Sequence, residues 1–197
     1  MVEKVSVEIR GVAPLLMNSN RGVNPLEPLV KEMKAITSKG SKKMTDDDQE
    51  RLLHIKWILG MYMDETVGPY IPSANVEATL KNAAKLIRRG KDTGFGIQVS
   101  PDRIPLIYEG PRTFEKLWED KKFSDFRVGK MKTGSSVNLM RPRFDMWSLK
   151  FDIIYDEKVF SDTTIKDLVS EGGQKIGLCD YRPKYGRYDV ISITQTK

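Results

Sequence analysis

The chain has 197 residues, 39% of them hydrophobic and 30% charged, the composition of a folded globular protein rather than a disordered or fibrous one. No apolar run approaches the ~18 residues of a membrane span, and a single cysteine, Cys179, excludes an internal disulfide framework. The net charge of +6 is uneven: residues 81–91 and 127–150 carry +5 each and 175–188 carry +3, so everything else nets −7, a pattern that points to a polyanion held at defined places.

In chain order, Val5, Val7 and Ile9 alternate with Lys4, Ser6, Glu8 and Arg10, which predicts a half-buried strand. The same segment, acidic at Glu3 and Glu8 and without an apolar core, does not read as a signal peptide, and a cytoplasmic location is expected by elimination. Gly11 and Pro14 end the strand, and residues 18–24 have loop composition. A short helix is expected over 25–36 around Leu29, Met33 and Ile36, followed by a polar connection over 37–44. Thr45 is the expected cap of the next helix. Asp46, Asp47 and Asp48 lie in its first turn, where the helix dipole favours acids, and Leu52, Ile55 and Leu59 form its apolar face. Gly68 and Pro69 stop it. Ser73 is the expected cap of a helix whose stripe is Val76, Leu80, Ala83 and Ile87. Lys81, Lys85 and Arg88, at i, i+4 and i+7, form a basic ridge beside that stripe.

Further strands are expected at 104–108, over Trp147–Ile153 and over Tyr188–Ile193. A short helix is expected at 111–122 and a longer one from Ser161 or Asp162 to Gly172 and Gly173. Setting aside 19–67, the order is strand, helix, strand, strand, helix, strand. That is the α+β, ferredoxin-like (RRM-like) βαββαβ arrangement. The expected organisation is one such domain over 1–197, with 19–67 as a helical insertion and 123–143 as a basic arm or hairpin.

Three stretches carry the candidate chemistry. Residues 70–75 (YIPSAN) lead into the basic helix, whose N-terminus and side chains Lys81, Lys85, Arg88 and Arg89 suit phosphate. The arm adds Lys130, Lys132, Arg141 and Arg143 among glycine, serine and asparagine. The loop before the last strand interleaves Tyr181, Tyr185 and Tyr188 with Arg182, Lys184 and Arg187. Rings for stacking and cations for phosphates suit single-stranded nucleic acid. His54, the sole histidine, cannot make a zinc site with one distant cysteine, and it reads as a packed or surface helix residue. No GxGxxG, Walker A lysine motif or GxSxG is present, so no cofactor, metal or catalytic residue is expected.

With these residues in view, the chain resembles the RAMP superfamily of CRISPR-associated RNA-binding proteins, and a phage-encoded relative fits the same likeness. The resemblance rests on Gly11-Val12-Ala13-Pro14-Leu15-Leu16, on the turn and helix from Tyr70 to Leu80, and on the loop Ile176-Gly177-Leu178 to Tyr185-Gly186-Arg187-Tyr188. It covers roughly 1–17, 68–110 and 145–197. It implies strand binding by the helix, a thumb-like hairpin and the glycine-containing loop, with copies polymerising along a guide RNA. Cleaving members of the superfamily use a histidine for which His54 is no positional match. The expected function is therefore non-catalytic binding of single-stranded RNA or DNA with weak sequence preference, as a homo-oligomer or a ribonucleoprotein subunit, without a membrane. The alternatives are a protein-interaction or phage factor (an assembly module or a mimic that obstructs a CRISPR complex) and an RNA-processing endonuclease that uses His54.

Overall fold

The computed structural model describes residues 1–40, 42–130, 134 and 136–196. In chain order the elements are β1 (Val2–Gly11), β2 (Leu15–Leu16), α1 (Pro28–Ser38), α2 (Asp46–Gly60), β3 (Met63–Asp64), β4 (Gly68–Pro72), α3 (Ser73–Leu86), α4 (Thr93–Gly96), β5 (Ile97–Ser100), β6 (Arg103–Pro105), α5 (Phe114–Glu119), β7 (Ser124–Lys130), β8 (Ser136–Phe144), β9 (Ser148–Asp156), α6 (Asp162–Glu171) and β10 (Tyr188–Gln195). A π-helical turn, Gly172–Ile176, continues α6. The fold is α+β with antiparallel pairing throughout the registered strands. No helix among the described residues is long and apolar enough to cross a membrane. The chain divides into two compact units, one of 1–15, 63–110 and 144–197, the other of 16–62 and 111–143.

The first unit is built on a four-stranded sheet of order β10-β1-β9-β5. The alternation in β1 sets its register. Val5, Val7 and Ile9 face Ile153, Phe151 and Leu149 of β9, and all six are buried. Each such aliphatic side chain contributes about 1.5–3 kcal/mol by leaving water, and a one-residue slip would turn the whole set outward. Helices α3 and α6 bury Val76, Leu80, Ala83 and Ala84, and Ile165, Leu168 and Val169. Strand β5 lies at the sheet edge. The Val99 N–H donates to Glu77 Oε1 of α3 at 3.0 Å, which occupies an edge donor that would otherwise invite another strand. A second sheet, β3-β4-β6, centres on the fully buried pair Ile71 and Ile104.

Four expectations are corrected in this unit. The strand that follows α3 in the main sheet is β5 at 97–100, not 104–108, whose first residues belong to β6 in the smaller sheet. Ser73 does not cap α3: Pro72 holds the cap position, and Ser73 donates through its N–H to the Asp102 carbonyl (2.8 Å) and through Oγ to the Asp102 carboxylate (3.2 Å). Gly172 and Gly173 do not end the helix. The chain runs on as a π turn across Tyr188, and a Cβ on Gly173 would lie 2.6 Å from the Tyr188 ring. Tyr188 is itself buried beneath that turn, so it cannot stack on a base.

In the second unit α1 and α2 pack through Val30, Ile36, Leu52, Ile55 and Leu59. Arg51 ties them across the surface with a two-pronged bond to Glu32 at 2.6 and 2.8 Å. Thr45 caps α2 as expected, in a reciprocal box with Asp48. Trp57 is fully buried, and its indole N–H donates to the Phe123 carbonyl at 2.9 Å. Residues 123–143 hold the antiparallel β7–β8 hairpin, with Ser124 opposite Pro142 and Lys130 opposite Ser136. Residues 19–67 hold α1 and α2 in this unit and β3 in the other.

Candidate nucleic-acid interface

The 177–187 loop is fixed at its base and exposed at its tip. Gly177, with φ of 81°, donates to the Gly172 carbonyl at 2.7 Å, and its own carbonyl accepts from Thr79 Oγ1 at 2.9 Å. Leu178 N–H donates to Gly186 O, and Gly186 N–H donates to Pro14 O, each at 2.8 Å. The Arg187 carbonyl accepts from the N–H groups of Val12 and Ala13. Leu178 is the buried plug beneath these bonds. Beyond it, Tyr181, Arg182, Lys184 and Arg187 are exposed and Tyr185 is half-buried. Tyr181 and Tyr185 meet edge to face at 5.8 Å, and Lys184 Nζ lies 5.8 Å from the Tyr185 ring. Cys179 and Tyr181 both have φ of 61° without being glycine, a conformation that costs about 1–3 kcal/mol each and persists only where the surroundings impose it. The Cys179 sulfur accepts from the Asn75 amide at 3.5 Å, and burial pushes its thiol up to about 12, so it stays protonated at neutral pH. The loop thus presents two rings and three cations on a rigid footing.

The basic residues of α3 do not join this surface. Asn75 and Thr79 of α3 bond the loop. Lys81 and Lys85 are exposed, but at about 100° per residue they point about 160° and 120° around the helix from Thr79. The ridge also ends early. Helix α3 stops at Leu86, and Arg88 has φ of 59°, outside the helix. Arg89 is committed to structure: Nε pairs with Asp92 at 2.8 Å, Nη2 donates to the Val159 carbonyl at 2.7 Å, and the guanidinium lies 4.5 Å from the Phe160 ring centre. The α3 N-terminus is taken by Asp102, whose carboxylate would repel a phosphate there. One trough shared by all the expected residues is therefore not what the fold builds in this unit.

The sheet face away from the core is polar and self-paired. Lys4 and Ser6 hold Asp152 at 2.7 and 2.5 Å, and Lys150 holds Glu8 at 3.1 Å. Tyr155 and Phe151 point to the buried side. The Tyr155 and Phe151 rings are therefore in the core, and the open face of the sheet carries the acids Glu8 and Asp152.

On the hairpin, Lys130 is exposed and Arg141 and Arg143 are half-buried, while Lys132 lies outside the described residues. Asp125 is buried and gathers Arg127, through Nε at 2.5 Å and Nη2 at 2.9 Å, and Arg143 at 3.3 Å. Arg143 therefore has a structural partner. Three residues went unnoticed in the sequence. Phe126 and Val128 stand exposed on one hairpin face with Lys130. Lys56 of α2 donates to the Asn138 carbonyl at 2.7 Å. A single ring in a mixed strand, or one lysine in an amphipathic helix, leaves no distinguishing pattern.

His54 stacks on Trp118 at 4.4 Å, and Lys121 lies 4.6 Å from the indole. Burial, then Arg51 and Lys121, hold the imidazolium below its ordinary value against the opposing pull of Glu115 and Glu50. The unfolded chain, titrating near 6.5, then binds the proton more readily than the folded one. The stability linked to neutral His54 is present in full above about 6.5 and is lost as pH falls from there through the lower folded value. Urea midpoints measured between about pH 7.5 and 5 are expected to fall more steeply for the native chain than for His54→Gln; parallel curves would refute the linkage. Among the described residues no group of three His, Cys, Asp or Glu side chains is arranged to hold a metal ion.

No family model and no curated protein matches the chain. Its fold is similar to that of a chain in a cryo-EM structure of the Type III-B Cmr-beta bound to cognate target RNA, with a TM-score of 0.57 at 13% identity. The alignment covers 100% of this chain and 61% of that one, so the present chain spans about three fifths of that neighbour's length.

Proposed function

We propose that this chain is a ferredoxin-like, RAMP-type protein that binds single-stranded RNA without catalysing a reaction, with the 177–187 loop as its principal contact. The observation that carries the reading is that loop: Tyr181, Arg182, Lys184 and Arg187 project from a base pinned to Gly172, Thr79 and Pro14. The order β10-β1-β9-β5, with α3 between β1 and β5 and α6 between β9 and β10, supports the ferredoxin-like assignment. The RAMP resemblance of residues 70–80 and 176–188 implies a ribonucleoprotein subunit that is oligomeric along the strand, and the Cmr-beta neighbour, itself bound to cognate target RNA, favours RNA over DNA. The hairpin, with Lys130, Arg141 and exposed Phe126, is a second contact. His54 is read as a stacked structural residue.

Fluorescence anisotropy with single-stranded RNA, single-stranded DNA and duplex at two salt concentrations tests this. Single-stranded RNA is expected to bind best and to weaken as salt rises, with the slope falling by about 0.7 for each phosphate contact removed. Arg182→Glu with Lys184→Glu is expected to weaken binding about tenfold or more and to flatten the salt response. Lys85→Glu with Arg88→Glu, off the loop face, is expected to change it far less. Equal losses in the two double variants, or equal affinity for duplex, would overturn the assignment of the loop.

A further inference from the structure

The four-stranded sheet of the first unit ends in two unlike edges, β5 and β10. The β5 edge is closed. The strand runs only from Ile97 to Ser100 and stops at Pro101. Its Ile97 N–H donates to the Thr93 carbonyl and its Val99 N–H to Glu77. The β10 edge is eight residues long, and among the described residues no strand pairs with its outer side. The ladder to β1 fixes which groups face outward. The Thr196 N–H donates to the Lys4 carbonyl at 3.0 Å, and Thr194 and Ser192 lie opposite Ser6 and Glu8 in the same register. Bonded positions alternate along an antiparallel pair, so Ser192, Thr194 and Thr196 bond β1. Ile193 and Gln195 turn their N–H and C=O groups away from it. Edge strands are normally blunted by a charge, a proline or a bulge. The stretch from Ser192 to Thr196 has no charge and no proline. The one register shift of β10, which leaves Ile191 with no residue opposite on β1, falls before it.

We propose that β10 is a self-pairing edge: two copies of this chain lay their β10 strands antiparallel about Thr194 and join their sheets into one. Ile193 of each copy then lies opposite Gln195 of the other, so the outward N–H and C=O groups of both meet outward groups of the partner. Two arguments select a second copy as the occupant. A neutral strand offers no charge by which to choose a foreign partner, whereas it meets its own copy without like-charge contact. The nearest charge, Asp189, lies five positions from the two-fold, which sets the two aspartates about 33 Å apart at about 3.3 Å per residue. A parallel pair would bring them side by side. The closed β5 edge decides the symmetry. A copy that added β10 to β5 would start an open filament, and with β5 blocked the contact closes at two chains. This pairing does not rest on the strand-binding reading. The 177–187 loop precedes β10, so the pair would carry its two loops at opposite ends.

Sedimentation equilibrium of the full chain without RNA, read beside amide hydrogen exchange, tests this. The mass is expected to rise with concentration from that of one chain toward that of two and to stop there. Two strand edges make a small contact of the weak, transient class, so dilution should dissociate it. The Ile193 and Gln195 amides should exchange more slowly as the pair forms, because they gain acceptors in the partner. Thr194→Lys, which sets two lysines face to face at the two-fold, is expected to weaken association about tenfold or more. Gln195→Pro, which removes an outward N–H and spares the bonds to β1, is expected to do the same. Gln98→Lys on β5, and Arg182→Glu with Lys184→Glu, should leave association unchanged. A chain that stays single at every concentration leaves the edge to a strand from another protein and overturns the inference. RNA binding, measured by anisotropy, would then still decide the loop reading by itself. Growth beyond two chains, dissociation by Gln98→Lys or by the loop variant, or association with no slowing at Ile193 and Gln195 overturns it as well.

Discussion

Replacing Gly186 by alanine is expected to cost about 3 kcal/mol or more of stability and to abolish the RNA affinity assigned to the loop, because two penalties fall on the same atom. Gly186 has φ of 70°, where an L side chain costs about 1–2 kcal/mol. Its added Cβ would also press on the Leu178 carbonyl oxygen and lie 2.7 Å from the Leu178 nitrogen. Those are backbone atoms, so no rotamer change relieves the clash, and overpacking of this kind costs a further 1–3 kcal/mol or so. The only relief is to lift the strand end, which breaks the Leu178-to-Gly186 and Gly186-to-Pro14 bonds together. Those bonds hold Tyr181 and Arg182 outward, so stability and binding fall in one variant. Gly94→Ala is the control: nothing lies within 4 Å of its added Cβ, and its urea midpoint should barely move. Equal midpoints for the two variants would mean that the loop is not seated as described.

The elements legible in the sequence are those whose signals are local. The alternation in β1, the Thr45 cap with its three aspartates, and the Ser161 cap of α6 each lie within a few consecutive residues, and each element starts where its pattern sits, although α2 ends at Gly60 and not at Gly68 and Pro69, which open β4 instead. The misread features depend on partners far along the chain. Ser73 is decided by Asp102, 29 residues away, and the Gly172–Gly173 pair by the Tyr188 ring that crosses it. Strand β5 has four residues ahead of Pro101 and too few turns of alternation to be seen. The candidate site divides in the same way. The composition of the 177–187 loop is visible in the sequence. That Tyr181 faces solvent and Tyr188 the core is a fact of packing, because the two tyrosines have similar neighbours in sequence and opposite ones in space. Charge counting likewise finds the basic stretches but cannot tell Arg182, which is exposed, from Arg89, which is bonded to a backbone carbonyl and an acid.

That distinction is sharpest in the hairpin, where removing one acid is expected to do more damage than removing any one cation. Asp125 is 7% exposed and holds Arg127 by two bonds and Arg143 by a third. Asp125→Ala would leave two guanidinium groups, 23% and 30% exposed, facing each other across the emptied position. Removing a buried acid in this way typically costs about 3–5 kcal/mol, because each guanidinium keeps its desolvation penalty and loses a charged partner. The urea midpoint should drop accordingly, and added salt should recover part of the loss by screening the repulsion. Asp125→Asn keeps an acceptor but not the charge, so it should fall between the two. The triple change Asp125→Leu, Arg127→Met, Arg143→Met removes the charges together and should return most of the stability, as apolar replacement of buried ionic clusters often does. If the triple variant is as unstable as Asp125→Ala, the cost lies in side-chain shape rather than charge. If Asp125→Ala is neutral, the two arginines do not depend on Asp125, and that acid is not what would keep Arg143 from a phosphate.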